Sequence, residues 1–149
     1  MADTDNKPGL HRVFLSLGSN LNSAQHDKQG NIREAIRRIE LNIGHVDLQS
    51  SIISTAPWGF ESDNEFVNAA VGCLTTLSPL DVLAATQAIE RLMGRTEKSH
   101  NGNYHDRIID IDILMYDNME VNLPQLQLPH PLMHQRDFVM IPLKEILGQ

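Results

Sequence analysis

The chain has 149 residues, 41% of them hydrophobic and 21% charged, the size and composition of one domain that buries a core without disulfide staples. Its formal net charge of −7 argues against bulk binding to nucleic acid or an anionic membrane, while leaving room for a small polyanion in a locally basic site. With Cys73 as the only cysteine no internal disulfide forms, no apolar run nears the roughly 18 residues of a spanning helix, and the polar start lacks a signal-peptide core; the cytoplasm is the expected compartment.

In chain order, residues 1–11 read as a disordered tail and 12–149 as a single domain. Val13 to Leu17 is a short apolar strand that runs into Gly18-Ser19-Asn20, a turn signal. After a polar stretch to about Gly30, Ile32, Ala35, Ile36 and Ile39 recur at helical spacing, and the helix is expected to end near Asn42-Ile43-Gly44. Val46 to Thr55, rich in β-branched residues, reads as one strand. Ala56-Pro57-Trp58-Gly59 interrupts it, a polar loop follows, and Phe66 to Thr76 is the next strand, with Cys73 as a buried structural thiol. Ser78-Pro79-Leu80-Asp81 is a helix start: serine caps, proline fits the first turn, and aspartate sits at the positive end of the dipole. Gly94 stops that helix, and a polar loop runs to about His105. Ile108 to Tyr116 is a strong strand. Beyond it Pro124, Pro129, Pro131 and Pro142 break the chain into loops and short pieces, with one more short helix expected within 138–147. The order strand, helix, strand, strand, helix, strand predicts an α+β fold: a ferredoxin-like antiparallel sheet with helices packed on one face.

The segment Asp106-Arg107-Ile108-Ile109-Asp110-Ile111-Asp112-Ile113-Leu114 carries the chemistry. Side chains alternate along a strand, so Ile109, Ile111 and Ile113 share the core face, and Asp110 and Asp112 share the other, about 7 Å apart along the backbone. Two like charges so placed repel, and a divalent cation between them removes the repulsion. Magnesium takes a few carboxylates plus phosphate oxygens and water, so the pair suits one or two magnesium ions clamping a polyphosphate. Asp-x-Asp alone is a weak signal and better describes a solvated strand face. The cations gathered around it in an acidic chain favour the phosphate reading: Arg95, Lys98, His100, His105 and Arg107 upstream, His130, His134 and Arg136 downstream.

The chain resembles the 6-hydroxymethyl-7,8-dihydropterin pyrophosphokinase family from Val13 to about Leu143. The resemblance rests on an ordered set: Leu17-Gly18-Ser19-Asn20-Leu21, Thr55-Ala56-Pro57-Trp58-Gly59, Phe66-Val67-Asn68-Ala69-Ala70, Gln87-x-x-Glu90, Gly94-Arg95, Asp106-Arg107-x-x-Asp110-x-Asp112, Pro129-His130 and Arg136-Asp137-Phe138. It implies the ferredoxin-like fold and the transfer of diphosphate from ATP to the hydroxymethyl group of a reduced pterin, with release of AMP, in folate biosynthesis. It further implies that Asp110 and Asp112 hold two magnesium ions, with manganese not ruled out, and that Arg95 and Arg107 act in catalysis. Gln87, Glu90, Arg95, Arg107, His130 and Arg136 fall on the nucleotide side. Phe66 and Phe138 sandwich the pterin, Asn68 bonds its edge, and Thr55, Pro57, Trp58 and Tyr104 line its pocket. The implied partners are ATP and the pterin, the expected state is a monomer, and other folate-pathway enzymes are conceivable partners.

A lone phenylalanine is usually core, but three of the five phenylalanine and tryptophan residues fall in these blocks. A buried amide such as Asn68 needs partners. Three departures concern the loop after Gly94. Glu97 stands where a second arginine is usual, with Lys98 as a substitute cation; His105-Asp106 replace a glycine-proline pair; Tyr104 replaces a tryptophan. Two other functions compete: a pterin- or nucleotide-binding module without turnover, and a metal-dependent phosphohydrolase that would leave the paired aromatics without a role.

Overall fold

The computed structural model describes residues 9–55, 65–94 and 108–148. At its centre strand β1, His11–Ser19, alternates its side chains between two apolar layers. Val13, Leu15 and Leu17 enter one layer and Phe14 the other, as period-two patterning requires. The strand continues through Gly18 and Ser19, where the sequence reads as a turn, because it is paired on both sides there: Gly18 faces Asn68 of β4, Phe66–Thr75, and Asp110 of β5, Asp110–Tyr116.

Helix α1, Lys28–Asn42, starts on Asp27, whose carboxylate accepts from the Gly30 amide at 2.7 Å. It ends on Gly44, where a β-carbon would collide with the Leu74 carbonyl. Helix α2, Pro79–Leu92, starts as its sequence signals, with the Ser78 hydroxyl accepting from the Asp81 amide. It stops at Gly94, whose φ of +113° is a conformation that side chains with a β-carbon rarely adopt.

The stretch expected as one strand, Val46 to Thr55, is two: β2, His45–Gln49, and β3, Ile53–Thr55. Both pair antiparallel with β4. Between them the Ser50 amide donates to the Ala70 carbonyl and the Ser50 hydroxyl accepts from the Ala70 amide, both at 2.9 Å. A side chain thereby replaces one rung of the ladder. Ser51 turns outward, its amide and hydroxyl donating to the Glu145 carboxylate at 2.9 and 2.8 Å.

The sheet order is β2-β4-β1-β5, with β3 also on β4, and every pairing is antiparallel. This is the ferredoxin-like arrangement. The main core lies between one sheet face and α1 and α2: Ile32, Ala35 and Ile39 of α1 and Val82 and Ile89 of α2 pack with Leu15, Leu17, Val71, Ile111 and Ile113. Cys73 is fully buried there, and burial pushes its thiol up to about 12, so it is structural.

A third helix, α3, Asp137–Leu147, covers part of the opposite face. Val139, Leu143 and Ile146 pack with Ala70 and Leu114. Leu114 is the extra residue of a bulge, since Leu15 faces Ile113 while Phe14 faces Met115. The bulge lets Leu114 and Met115 both face α3 and returns Tyr116 to the main core, where its hydroxyl donates to the Leu77 carbonyl at 2.6 Å. A two-stranded hairpin, β6 (Val121–Leu123) and β7 (Leu126–Leu128), seals the end of the core with Leu126 and Leu128. Among the described residues no helix is long and apolar enough to cross a membrane.

Candidate active site

The part of the sheet face beyond α3 carries the polar residues. Strand register sets two rows across it. In one, Asn68 of β4 faces Gly18 of β1, which faces Asp110 of β5; in the next, Ala70 faces Ser16, which faces Asp112. Asp110 and Asp112 are half-buried, while Ile109, Ile111 and Ile113 between and around them are buried in the main core. The period-two reading of this strand is therefore what the structure shows.

The middle column of these rows, Gly18 and Ser16, is made of small residues, which leaves space beside the carboxylates. At Gly18 that space is shaped by its neighbours: a β-carbon there would lie 3.0 Å from Asn68 Oδ1 and 3.5 Å from Phe66 Cδ1. Asn68 is buried and Phe66 half-buried, so an amide and an aromatic ring flank Gly18 from the β4 side, while Asp110 is its register partner on the β5 side. Two hard carboxylate oxygen donors on a rigid strand, with room next to them, are a donor set that fits magnesium sharing its remaining positions with phosphate and water.

Two basic residues approach from the C-terminal segment. The Leu128–Pro129 peptide is cis, and the His130 amide donates to the Leu114 carbonyl at 2.9 Å, fixing the segment to β5. The ring is half-buried, and its Nδ1 accepts from the Leu132 amide at 3.2 Å, so the neutral ring carries its proton on Nε2. Burial first and the Arg136 charge second hold the His130 pKa below its ordinary value, against the pull of Asp110. His130 thus lies within electrostatic reach of both. Arg136 is buried just ahead of α3, with its guanidinium carbon 5.7 Å from the centre of the Phe138 ring, a cation–π distance. Phe138 itself is partly buried against the α3 layer.

The α2 residues are placed differently. Gln87 is exposed. Glu90, one turn on, is 8% exposed, and its Oε2 accepts from the Ile111 amide at 2.8 Å. That amide belongs to the residue between Asp110 and Asp112. Stripping a buried amide of its acceptor costs about 1–3 kcal/mol, so Glu90 also supports the strand.

The structure therefore brings Phe66, Asn68, Asp110 and Asp112 onto one sheet face, with His130 within electrostatic reach of Asp110 and of Arg136, and Phe138 beside Arg136. Thr55 ends β3 opposite Phe66. Pro57, Trp58, Arg95, Tyr104 and Arg107 lie outside the described residues. Sequence reasoning missed Gly18 as part of the site floor. Its signal was present, since a glycine next to an alternating apolar run also marks a close approach in a strand.

The chain is similar to known proteins along nearly its whole length. The model of the family described as 7,8-dihydro-6-hydroxymethylpterin-pyrophosphokinase matches residues 14–148. A Porphyromonas gingivalis 2-amino-4-hydroxy-6-hydroxymethyldihydropteridine pyrophosphokinase is 47% identical over 135 residues, 90% of this chain and 89% of the relative. The Bacillus subtilis protein of the same name is 36% identical over 138 residues, 92% of this chain and 78% of the relative. The wild-type HPPK-DHPS of Plasmodium falciparum, solved by crystallography, superposes with a TM-score of 0.69 at 16% identity over 97% of this chain. The chain spans 42% of that longer polypeptide, a likeness of fold.

Proposed function

The chain belongs to the 7,8-dihydro-6-hydroxymethylpterin-pyrophosphokinase family, and from that premise we propose which of its residues carry the reaction. The enzyme is a transferase of folate biosynthesis: it moves a diphosphate from ATP to 6-hydroxymethyl-7,8-dihydropterin. The hydroxymethyl oxygen becomes bonded to the β-phosphorus, and AMP leaves.

Asp110 and Asp112 would hold two magnesium ions for the triphosphate. When bound, magnesium neutralises phosphate charge and lowers the pKa of the attacking hydroxyl. This reading is carried by one observation: both carboxylates share a sheet face with Phe66 and Asn68, separated only by Gly18 and Ser16. Phosphoryl-type transfer depends on positioning and charge stabilisation, and the remaining residues supply those. Arg136 sets its charge against phosphate oxygens. His130, kept neutral by burial with its proton on Nε2, donates a hydrogen bond to the nucleotide. Phe66 and Phe138 hold the pterin between aromatic faces, and Asn68 bonds its polar edge. On the strength of family membership Arg95 and Arg107 join the nucleotide, Gln87 and Glu90 lie on its side, and Thr55, Pro57, Trp58 and Tyr104 complete the pterin pocket.

The same reading gives a single domain over 12–149, supported by one sheet that gathers all the large helices. It also gives a monomer in the cytoplasm. A lone buried thiol suits a reducing compartment.

The test is AMP formation from ATP and magnesium with and without the pterin. Pterin-dependent AMP without free phosphate is the expected result. Phosphate or diphosphate release independent of pterin would replace this reading with hydrolysis.

A further inference from the structure

Among the described residues β5 is an edge strand of the sheet, with β1 as its partner strand. In an antiparallel ladder successive residues alternate between pointing their main-chain groups at the partner strand and away from it. The Ile111 amide points away, because it donates to Glu90 Oε2 at 2.8 Å. The residues on either side of Ile111 are Asp110 and Asp112, whose register partners Gly18 and Ser16 tie them to β1. β5 is therefore held between Asp110 and Asp112 from both directions: by β1 on one side and by a helix side chain on the other. An edge strand without the outer contact twists and frays at its free side. A rotation of the Ile111 peptide would swing the two carboxylates apart, since their Cα–Cβ directions are set by the same stretch of backbone.

We propose that Glu90 is a positioning residue for the metal pair: its carboxylate fixes the Ile111 peptide and thereby the spacing and direction of Asp110 and Asp112. The proposal rests on the reading of those two aspartates as metal ligands. Its geometric part, a helix carboxylate on the outward amide of the edge strand, stands in the chain itself. The role needs an acceptor oxygen at this position and does not need a negative charge. That separates it from a role in which Glu90 contacts the nucleotide through its charge. Glutamine keeps a carbonyl oxygen at the same reach, alanine removes it, and methionine keeps the length of the stem while removing the acceptor.

The experiment compares wild type with Glu90→Gln, Glu90→Ala and Glu90→Met. The first readout is the Ile111 amide resonance and its hydrogen exchange in the metal-free protein. The second is the dissociation constant of Mn2+ in the presence of a non-hydrolysable ATP analogue. Supporting contacts of this kind change metal affinity by roughly 10- to 100-fold when lost. Glu90→Ala should shift the Ile111 amide upfield, speed its exchange and weaken Mn2+ binding by about 10-fold or more, while Glu90→Gln restores most of both. Glu90→Met should behave like alanine, and it replaces alanine should that variant not fold. Equal loss in the glutamine and alanine variants would overturn the proposal in favour of a charge contact. A perturbed Ile111 amide with unchanged Mn2+ affinity would overturn it in favour of a purely structural bond. Asp110→Ala is the separate control for the premise. If it leaves Mn2+ affinity unchanged, the metal reading itself fails, whatever the Glu90 variants do.

Discussion

Asn68 and Gly18 face each other across β4 and β1, with Asn68 Oδ1 3.0 Å from the point a β-carbon on Gly18 would occupy. On the Asn68 side Gly18 has room for its α-hydrogen and little else. An added methyl must push the Asn68 amide, and that amide is buried, so it has little freedom to yield. Gly18→Ala is expected to raise the KM for the pterin with a smaller change in the KM for ATP, and Gly18→Val to do so more strongly. Overpacking of this kind costs about 1–3 kcal/mol, which corresponds to roughly a 5- to 150-fold loss of pterin affinity if it falls wholly on binding. Steady-state kinetics with each substrate varied in turn measures the split. An equal effect on both substrates would place Gly18 away from the pterin.

Phe138 is partly buried against the α3 layer and lies 5.7 Å from the Arg136 guanidinium carbon. Its ring therefore packs within the protein as well as facing the proposed ligand, and Phe138→Ala should have two effects: a modest loss of stability and a large loss of pterin affinity. Phe138→Tyr keeps the aromatic face and should retain pterin binding. Fluorescence titration with the pterin checks both variants. A collapse of ATP affinity with unchanged pterin affinity would move Phe138 to the nucleotide side.

The His130 pKa gives a pH signature. Burial, followed by Arg136, holds it below its ordinary value despite Asp110. Between that lowered value and about 6.5, the unfolded chain binds a proton at this ring that the folded chain does not. Stability is therefore highest above about pH 6.5 and declines as pH falls through the window below it. His130→Gln removes this part of the decline. Thermal melts of the metal-free protein across that window should show a shallower acid slope for the variant, and superimposable slopes would contradict the assignment.

Much of this architecture was legible in the sequence for local reasons. The Ser78-Pro79-x-Asp81 cap, the Gly94 stop and the alternation of Ile109 through Ile113 are each decided within a few residues, and each stands as read. Other features depend on partners far along the chain. Val46 to Thr55 splits because Ser50 bonds Ala70 and Ser51 bonds Glu145, contacts invisible to local pattern. Gly18 stays in its strand because β4 and β5 both pair with it. Pro142 sits inside α3, where packing of Val139, Leu143 and Ile146 on the sheet outweighs the lost hydrogen bond of a helical proline. Asp27 as the cap of α1 and the Leu126-Gln127-Leu128 alternation carry local signals that their polar and proline-rich surroundings mask. In the site, residue types showed the Asp110–Asp112 pair, but only strand register shows that Gly18 and Ser16 stand beside it.

As proposed, Asp110 and Asp112 together would hold the magnesium ions that the diphosphate transfer requires. This is tested most directly by AMP formation as a function of Mg2+ concentration in wild type, Asp110→Asn and Asp112→Asn. Asparagine keeps the shape of each side chain and removes its charge, and both residues are half-buried on a paired strand, so the fold should persist, with unchanged far-UV circular dichroism. Both variants should lose turnover by about 1000-fold or more, the scale of losing a preorganised charge at a phosphoryl site, and raised Mg2+ should recover part of it. Turnover within a few-fold of wild type in both variants, at the same Mg2+ dependence, would contradict the metal reading.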